Sequence, residues 1–221
     1  MPDCKACQWF SKAKQDCTIS GPIPAGDCQL RKCVLAILQK HLPHWSGKVL
    51  EIGYGMRRQP RKMLRNRAEW HGAEPRFPTN EKTRQYQCTV SKMPFVDAMF
   101  RHVLATETME HWAEYGESVK DGLREIARVL EPGGTILVTV PIHLHGSNEF
   151  LHGDLHAIEH HFDPKLWRDY KTEHWREDYG PLPVPLDIRA AWPKLRKSDK
   201  HALQEAHGYS SWTLEITAIR R

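Results

Sequence analysis

The chain has 221 residues, 40% of them hydrophobic, and a formal net charge of +5, which suits one α/β core with additions and is short for two full domains. No window approaches the roughly 20 apolar residues that cross a bilayer, and Met1-Pro2-Asp3-Cys4-Lys5 lacks the basic-then-apolar pattern of a signal peptide; no membrane partner and a cytoplasmic location are expected. With 27 acidic residues present the basic excess is mild, enough to help attract phosphates but not to establish a nucleic-acid partner.

Of six cysteines, five fall in the first 33 residues, at Cys4, Cys7, Cys17, Cys28 and Cys33. Residues 1–27 show neither helical nor strand periodicity and contain Gly21-Pro22-Ile23-Pro24-Ala25-Gly26, a loop that needs something to hold it. Without a secretory signal, disulfides are not expected. A CxxC pair followed by further cysteines can deliver tetrahedral thiolate ligation to zinc or an iron-sulfur cluster. Cys4, Cys7, Cys17 and Cys28 form such a set of four, with unligated thiols as the alternative. Asp27 can cap a helix in which Leu30, Cys33, Val34, Ile37 and Leu38 make one apolar stripe, so Cys33 is expected to be a buried thiol.

Val49-Leu50-Glu51-Ile52-Gly53-Tyr54-Gly55 reads as a buried strand, from Lys48 to Gly53, ending in a glycine turn that brings backbone against a ligand. A helix is predicted over Gln59–Ala68; Arg57, Arg58, Arg61 and Lys62 crowd its start, where the helix dipole is already positive, and such a cluster invites an anion. A second strand ends at Glu74, at the roughly 20-residue interval expected for an acid gripping ribose hydroxyls. A third strand is predicted over Tyr86–Val90, a fourth over Arg101–Ala105, a helix over Ser118–Leu130 that stops at Pro132-Gly133-Gly134, and a fifth strand over Thr135–Val140. Strands alternating with helices imply a parallel sheet, and right-handed crossovers place its ligand crevice at the carboxyl ends of the strands.

After Pro141 the chain turns rich in His, Trp, Pro and charge. Residues 142–207 read as a substrate-covering insertion with helices over Phe150–His161 and Pro193–Ala206. Tyr170–Trp175 is a candidate sixth strand. Trp212–Ile219, where Leu214, Ile216 and Ala218 alternate with polar residues, is a seventh. His152, His156 and His160 recur every four residues; on one helix they could share a metal or line a polar cleft.

The succession Glu51-x-Gly53-x-Gly55, Glu74, Met93-Pro94-Phe95, Phe100–Ala105 leading to Glu110-His111, and Leu123–Gly134 resembles the class I S-adenosylmethionine-dependent methyltransferases, of the type 11-like group, from about Lys48 to about Pro141. The resemblance implies an α/β fold: a doubly wound, Rossmann-like, mostly parallel seven-stranded sheet with helices on both faces. The chain then divides into a Cys-rich segment and helix (1–45), the cofactor-binding core (46–141), the insertion (142–207) and the final strand (208–221). It implies S-adenosylmethionine held by Glu51, Gly53, Tyr54, Gly55, Glu74, Pro75, Thr89, Val90, Met93, Ala105, Thr106 and Glu107, with Glu74 accepting both ribose hydroxyls. Met56 and Arg57 stand where the family has a third glycine, Thr89 where it has an Asp facing the adenine amino group, and Arg101 where it has an acid. His143 and His145, just past the fifth strand, are the general-base candidates, since neutral imidazole can take a proton near pH 7. The expected activity is methyl transfer to an oxygen or nitrogen of a polar small molecule. An RNA-modifying methyltransferase and a non-catalytic binding protein that keeps the fold are the alternatives.

Overall fold

A computed structural model of the protein describes residues 10–11, 16–17, 32–55, 58–142, 146–175 and 212–221. At the start, β1 (Phe10–Ser11) and β2 (Asp16–Cys17) pair antiparallel. The first helix, α1 (Lys32–His41), buries Cys33, Val34, Ile37 and Leu38, the stripe expected from their spacing. Cys33 is a core thiol, its Sγ lying 3.2 Å from Thr213 Oγ1.

The central sheet is built from β3 (Gly47–Ile52), β4 (Ala68–Ala73), β5 (Gln85–Tyr86), β6 (Phe100–Thr106), β7 (Leu130–Ile142), β8 (Trp167–Trp175) and β9 (Trp212–Arg220), in the order β5-β4-β3-β6-β7-β9-β8. From β5 to β7 every pairing is parallel, whereas β9 runs antiparallel to both β7 and β8. The seven-stranded, mostly parallel sheet expected from the sequence is therefore present. Strand order reverses between β3 and β6, the place where an open α/β sheet forms its crevice.

Alternate residues of each strand feed opposite faces, and both faces are covered. Val49, Leu104 and Leu137 pack with α1 residues and Trp70, whereas Leu50, Val103, Ile136 and Val138 pack with Leu123 and Ile126 of α3 (Val119–Val129). The Ser118 side chain caps α3 by accepting from Asp121 N. A register shift between Phe100 and His102 of β6 absorbs Glu131–Gly134 at the start of β7. Glu215, buried on β9, receives Lys40 Nζ at 3.0 Å, His41 Nε2 at 2.6 Å and Trp175 Nε1 at 2.7 Å, tying the end of α1 to the sheet's far edge. Burial alone would raise its carboxyl pKa; the His41 and Lys40 bonds outweigh that and hold it below the ordinary value.

Several boundaries differ from expectation for local reasons. The helix after the glycine turn, α2 (Gln59–Leu64), stops short of Ala68 because Arg65 turns extended and Asn66 takes φ 67°. The third strand shrinks to β5, two residues long. The single helix expected over Phe150–His161 is two, α4 (Asn148–His152) and α5 (Leu155–His160), separated by Gly153 at φ 64° and restarted by Asp154, which accepts from Ala157 N. His152 consequently sits on a different helix from His156 and His160, which are both exposed. The helix expected over Pro193–Ala206 lies outside the described residues. No helix among the described residues is long and apolar enough to cross a membrane.

Candidate cofactor site at the carboxyl rim of the sheet

β3 ends in the glycine turn, with Gly53 at φ 65° and Gly55 at φ 51°, left-handed backbone that glycine adopts without penalty. A Cβ at Gly53 would stand 2.3 Å from Thr108 Cγ2, so the loop after β6 closes directly on the turn. Parallel pairing of Ile52 with Ala73 then sets Glu74, the residue after β4, beside the turn. Glu74 is 2% exposed, and its Oε2 accepts from Gly55 N at 3.1 Å. Two motifs 19 residues apart are thus joined by one hydrogen bond.

The Glu74 carboxylate has a second partner that the sequence did not reveal. Arg76 Nε reaches Oε1 at 2.7 Å and Arg76 Nη2 reaches Oε2 at 3.2 Å, while Arg76 N donates to Oε1 at 3.2 Å. The only signal was a cation two residues past the acid; the turn at Pro75 and Arg76, beyond the end of β4, folds the guanidinium back onto the carboxylate. A Cβ on Gly55 would stand 3.2 Å from Arg76 Nη2 and 4.0 Å from Glu74 Oε2, so the bare turn lets the guanidinium close on the carboxylate.

The other expected residues fall into two groups. Ala105 and Thr106 end β6 and Glu107 follows it, Ala105 pairing with Ile52, so they reach the same rim. Glu107 is 2% exposed and takes φ 51°, a strained backbone costing about 1–3 kcal/mol, with its N–H donating to Thr139 O at 2.6 Å. Glu51 supports the site from behind: its Oε2 accepts from Trp70 Nε1 at 2.7 Å, and Tyr54 packs edge-on against the same Trp70 at 5.6 Å. Burial, then the Glu74 charge, raise the Tyr54 pKa. Pro75 contributes its carbonyl to Gln87 Nε2 at 3.1 Å. Val90 and Met93 are buried in the core on the α3 side, with Met93 N donating to Glu125 Oε1 at 3.0 Å, and Thr89 is half-buried one residue before Val90.

Beyond Glu107, buried Glu110 and His111 occupy a 3-10 helix (Met109–Tyr115), with His111 Nδ1 2.5 Å from Glu114 Oε1. Gly146 returns over this segment so closely that a Cβ on it would stand 2.7 Å from Glu110 Cβ. The base candidates His143 and His145 lie outside the described residues, between Ile142 at the end of β7 and Gly146. Cys4, Cys7 and Cys28 also lie outside them, and for Cys17 the structure describes the strand β2 alone. Among the described residues no group of three or more His, Cys, Asp or Glu could hold a metal ion.

Next to the glycine turn, on the β4–β5 side, opens a groove of about 1450 Å³ that includes Tyr54, Gly55, Trp70 and Phe77. Six basic side chains line it, Arg58, Arg61, Lys62, Arg65, Lys82 and Arg84, against the two carboxylates Glu69 and Glu81.

With this geometry in view, residues 50–138 match the family described as a methyltransferase domain. Over that stretch the core is similar to a methyltransferase domain. No curated protein sequence matches the chain. Among solved structures, the methyltransferase fold is shared with the YcgJ protein of Bacillus subtilis, at a TM-score of 0.57 and 16% identity, covering 86% of this chain and 98% of that one. It is shared with Haemonchus contortus phosphoethanolamine N-methyltransferase 2, in complex with phosphomonomethylethanolamine and S-adenosylhomocysteine, at a TM-score of 0.54 and 17% identity over 85% of this chain. The present chain spans 52% of that enzyme. A third match comes from the complex of the Haloferax volcanii Trm112 methyltransferase activator with a methyltransferase, at a TM-score of 0.53 and 19% identity, covering 86% and 89% of the two chains.

Proposed function

We propose that the protein transfers a methyl group from S-adenosylmethionine to an oxygen or nitrogen of a polar small molecule. The observation that carries this reading is the buried Glu74 carboxylate bonded to Gly55 N at the carboxyl rim, where a carboxylate can accept two sugar hydroxyls. When bound, the cofactor supplies a sulfonium methyl open to in-line displacement. The chain's own part is to hold donor and acceptor in line and to keep water away. In that arrangement Gly53 and Gly55 present bare main chain, Glu74 fixes the sugar, and Ala105–Glu107 form the wall on the β6 side. His143 and His145 are the proposed bases that take the acceptor's proton, and residues 142–207 the proposed cover over the acceptor. The Haemonchus neighbour, held with a small amine, supports an acceptor of that size.

A second reading, an RNA-modifying methyltransferase, is favoured by one observation: the basic groove is continuous with Gly55 of the turn. The four-cysteine set Cys4, Cys7, Cys17 and Cys28 belongs to the proposal as a thiolate site for zinc or an iron-sulfur cluster, supported by residue type and spacing. Labelled methyl transfer into a fractionated cell extract tests the function. Label in a small-molecule fraction that disappears with Glu74→Ala supports the leading reading, and label in RNA supports the second. Cofactor binding without any transfer would leave a non-catalytic binding protein.

A further inference from the structure

The basic groove deepens the second reading, on which the following rests for its link to methyl transfer. Its lining carries six cations and two carboxylates in a chain whose net charge is only +5, so most of the protein's positive excess is gathered in one concavity. One carboxylate is already engaged: Glu69 accepts from His71 Nε2 at 2.8 Å and lies 3.4 Å from Arg84 Nε. Arg58, Arg61, Arg65 and Lys82 make no ion pair with any described residue, and like charges gathered this way repel until an anion joins them. The groove is also aromatic. The Arg61 guanidinium lies 4.8 Å over the Trp70 ring, Tyr54 meets Trp70 and Phe77 at 5.6 and 6.0 Å, and Phe77 is half-buried under Arg76.

Tyr54 and Trp70 are buried and form the floor, which leaves the exposed Arg61 guanidinium and the half-buried Phe77 ring as flat faces among the cations. Cations beside such faces in a concave track are what single-stranded nucleic acid needs: phosphates meet the cations and unpaired bases stack on the planes. We propose that this groove binds a single-stranded RNA segment and leads one of its nucleotides past Tyr54 and Gly55 toward the rim. An acidic protein segment would use the cations and leave the flat faces of Arg61 and Phe77 without a counterpart.

Fluorescence anisotropy of a labelled single-stranded RNA oligonucleotide on the full chain tests this, over a salt series, with poly-glutamate as competitor. Four phosphate contacts give a slope of about −3 in log affinity against log salt, so a fourfold rise in salt weakens binding about 50-fold. Arg65→Glu with Lys82→Glu lowers RNA affinity at least about tenfold and makes the slope shallower by about 1.4. Unchanged affinity in the double variant, no binding by wild type at low salt, or displacement by poly-glutamate at equal charge concentration overturns the proposal. S-adenosylhomocysteine affinity, read by calorimetry on the same samples, separates the two claims: RNA binding with no cofactor binding by wild type upholds the groove and overturns the donor site.

Discussion

Arg76→Ala is expected to tighten cofactor binding while weakening the ligand-free protein. In the structure both Glu74 oxygens that would receive the ribose hydroxyls are held by Arg76, through one short contact of 2.7 Å and one longer contact of 3.2 Å. Truncating a charged hydrogen bond costs roughly 1.5–3 kcal/mol, but the Arg76 side chain is 31% exposed and water screens part of that. A value of about 2 kcal/mol for the pair follows. Bound ribose must displace the guanidinium, so its removal returns that free energy to the ligand, about 30-fold in dissociation constant. Without ligand, the buried carboxylate of the variant keeps, among the described residues, the two backbone donors Gly55 N and Arg76 N, and a melting temperature lower by about 5 °C is expected. Arg76→Lys, which keeps the charge but not the two-toothed geometry, should fall between. Calorimetric titration with S-adenosylhomocysteine and thermal melts of the free protein read both effects. Weaker cofactor binding in Arg76→Ala would refute the competition and make Arg76 a ligand contact instead.

Gly53→Ala should destabilise the protein by roughly 3 kcal/mol, combining a left-handed backbone without glycine and a Cβ forced against Thr108; denaturant midpoints check this, and wild-type stability would show that the loop after β6 yields freely. His102 is stacked on Trp45 at 4.5 Å, and burial followed by the Arg101 charge pushes its pKa down to about 4. Its folded pKa is depressed below the unfolded value of about 6.5, so its neutral form stabilises the fold fully above that pH. As pH falls toward about 4, roughly 3 kcal/mol is lost to protonation of the unfolded state. His102→Phe, which keeps a ring on Trp45, should flatten that limb of the pH-stability curve; an unchanged slope would place the acid sensitivity elsewhere. Elemental analysis is expected to find zinc or iron in the purified protein and Cys7→Ser to release it, with metal-free native protein ending that proposal.

What the sequence made legible follows from periodicity and turn chemistry. Val49 to Ile52 is apolar on both faces apart from Glu51, as a central parallel strand must be, and the turn that follows needs two left-handed residues, which is why its glycines stand out. Glu74 could be located because strand length and pairing register constrain how far the second motif lies from the first. What was hidden depends on contacts between residues whose spacing carries no pattern. Arg76 closes on Glu74 only through the bend between them, and Glu107 is left-handed though it is not glycine. Gly153 falls within the helix expected over Phe150–His161, whereas it ends α4 and lets Asp154 begin α5. The groove needed α2 and residues 77–85 to face each other, a long-range pairing that the Arg57–Lys62 run alone did not announce.

A crystal structure of the protein grown with S-adenosylhomocysteine tests the central claim most directly. Ligand density is expected along the rim beside Gly53 and Gly55, with both ribose hydroxyls within hydrogen-bond distance of the Glu74 oxygens and the Arg76 side chain swung away from them. Ligand bound elsewhere, or bound at the rim with the Arg76–Glu74 pair still closed, would contradict it.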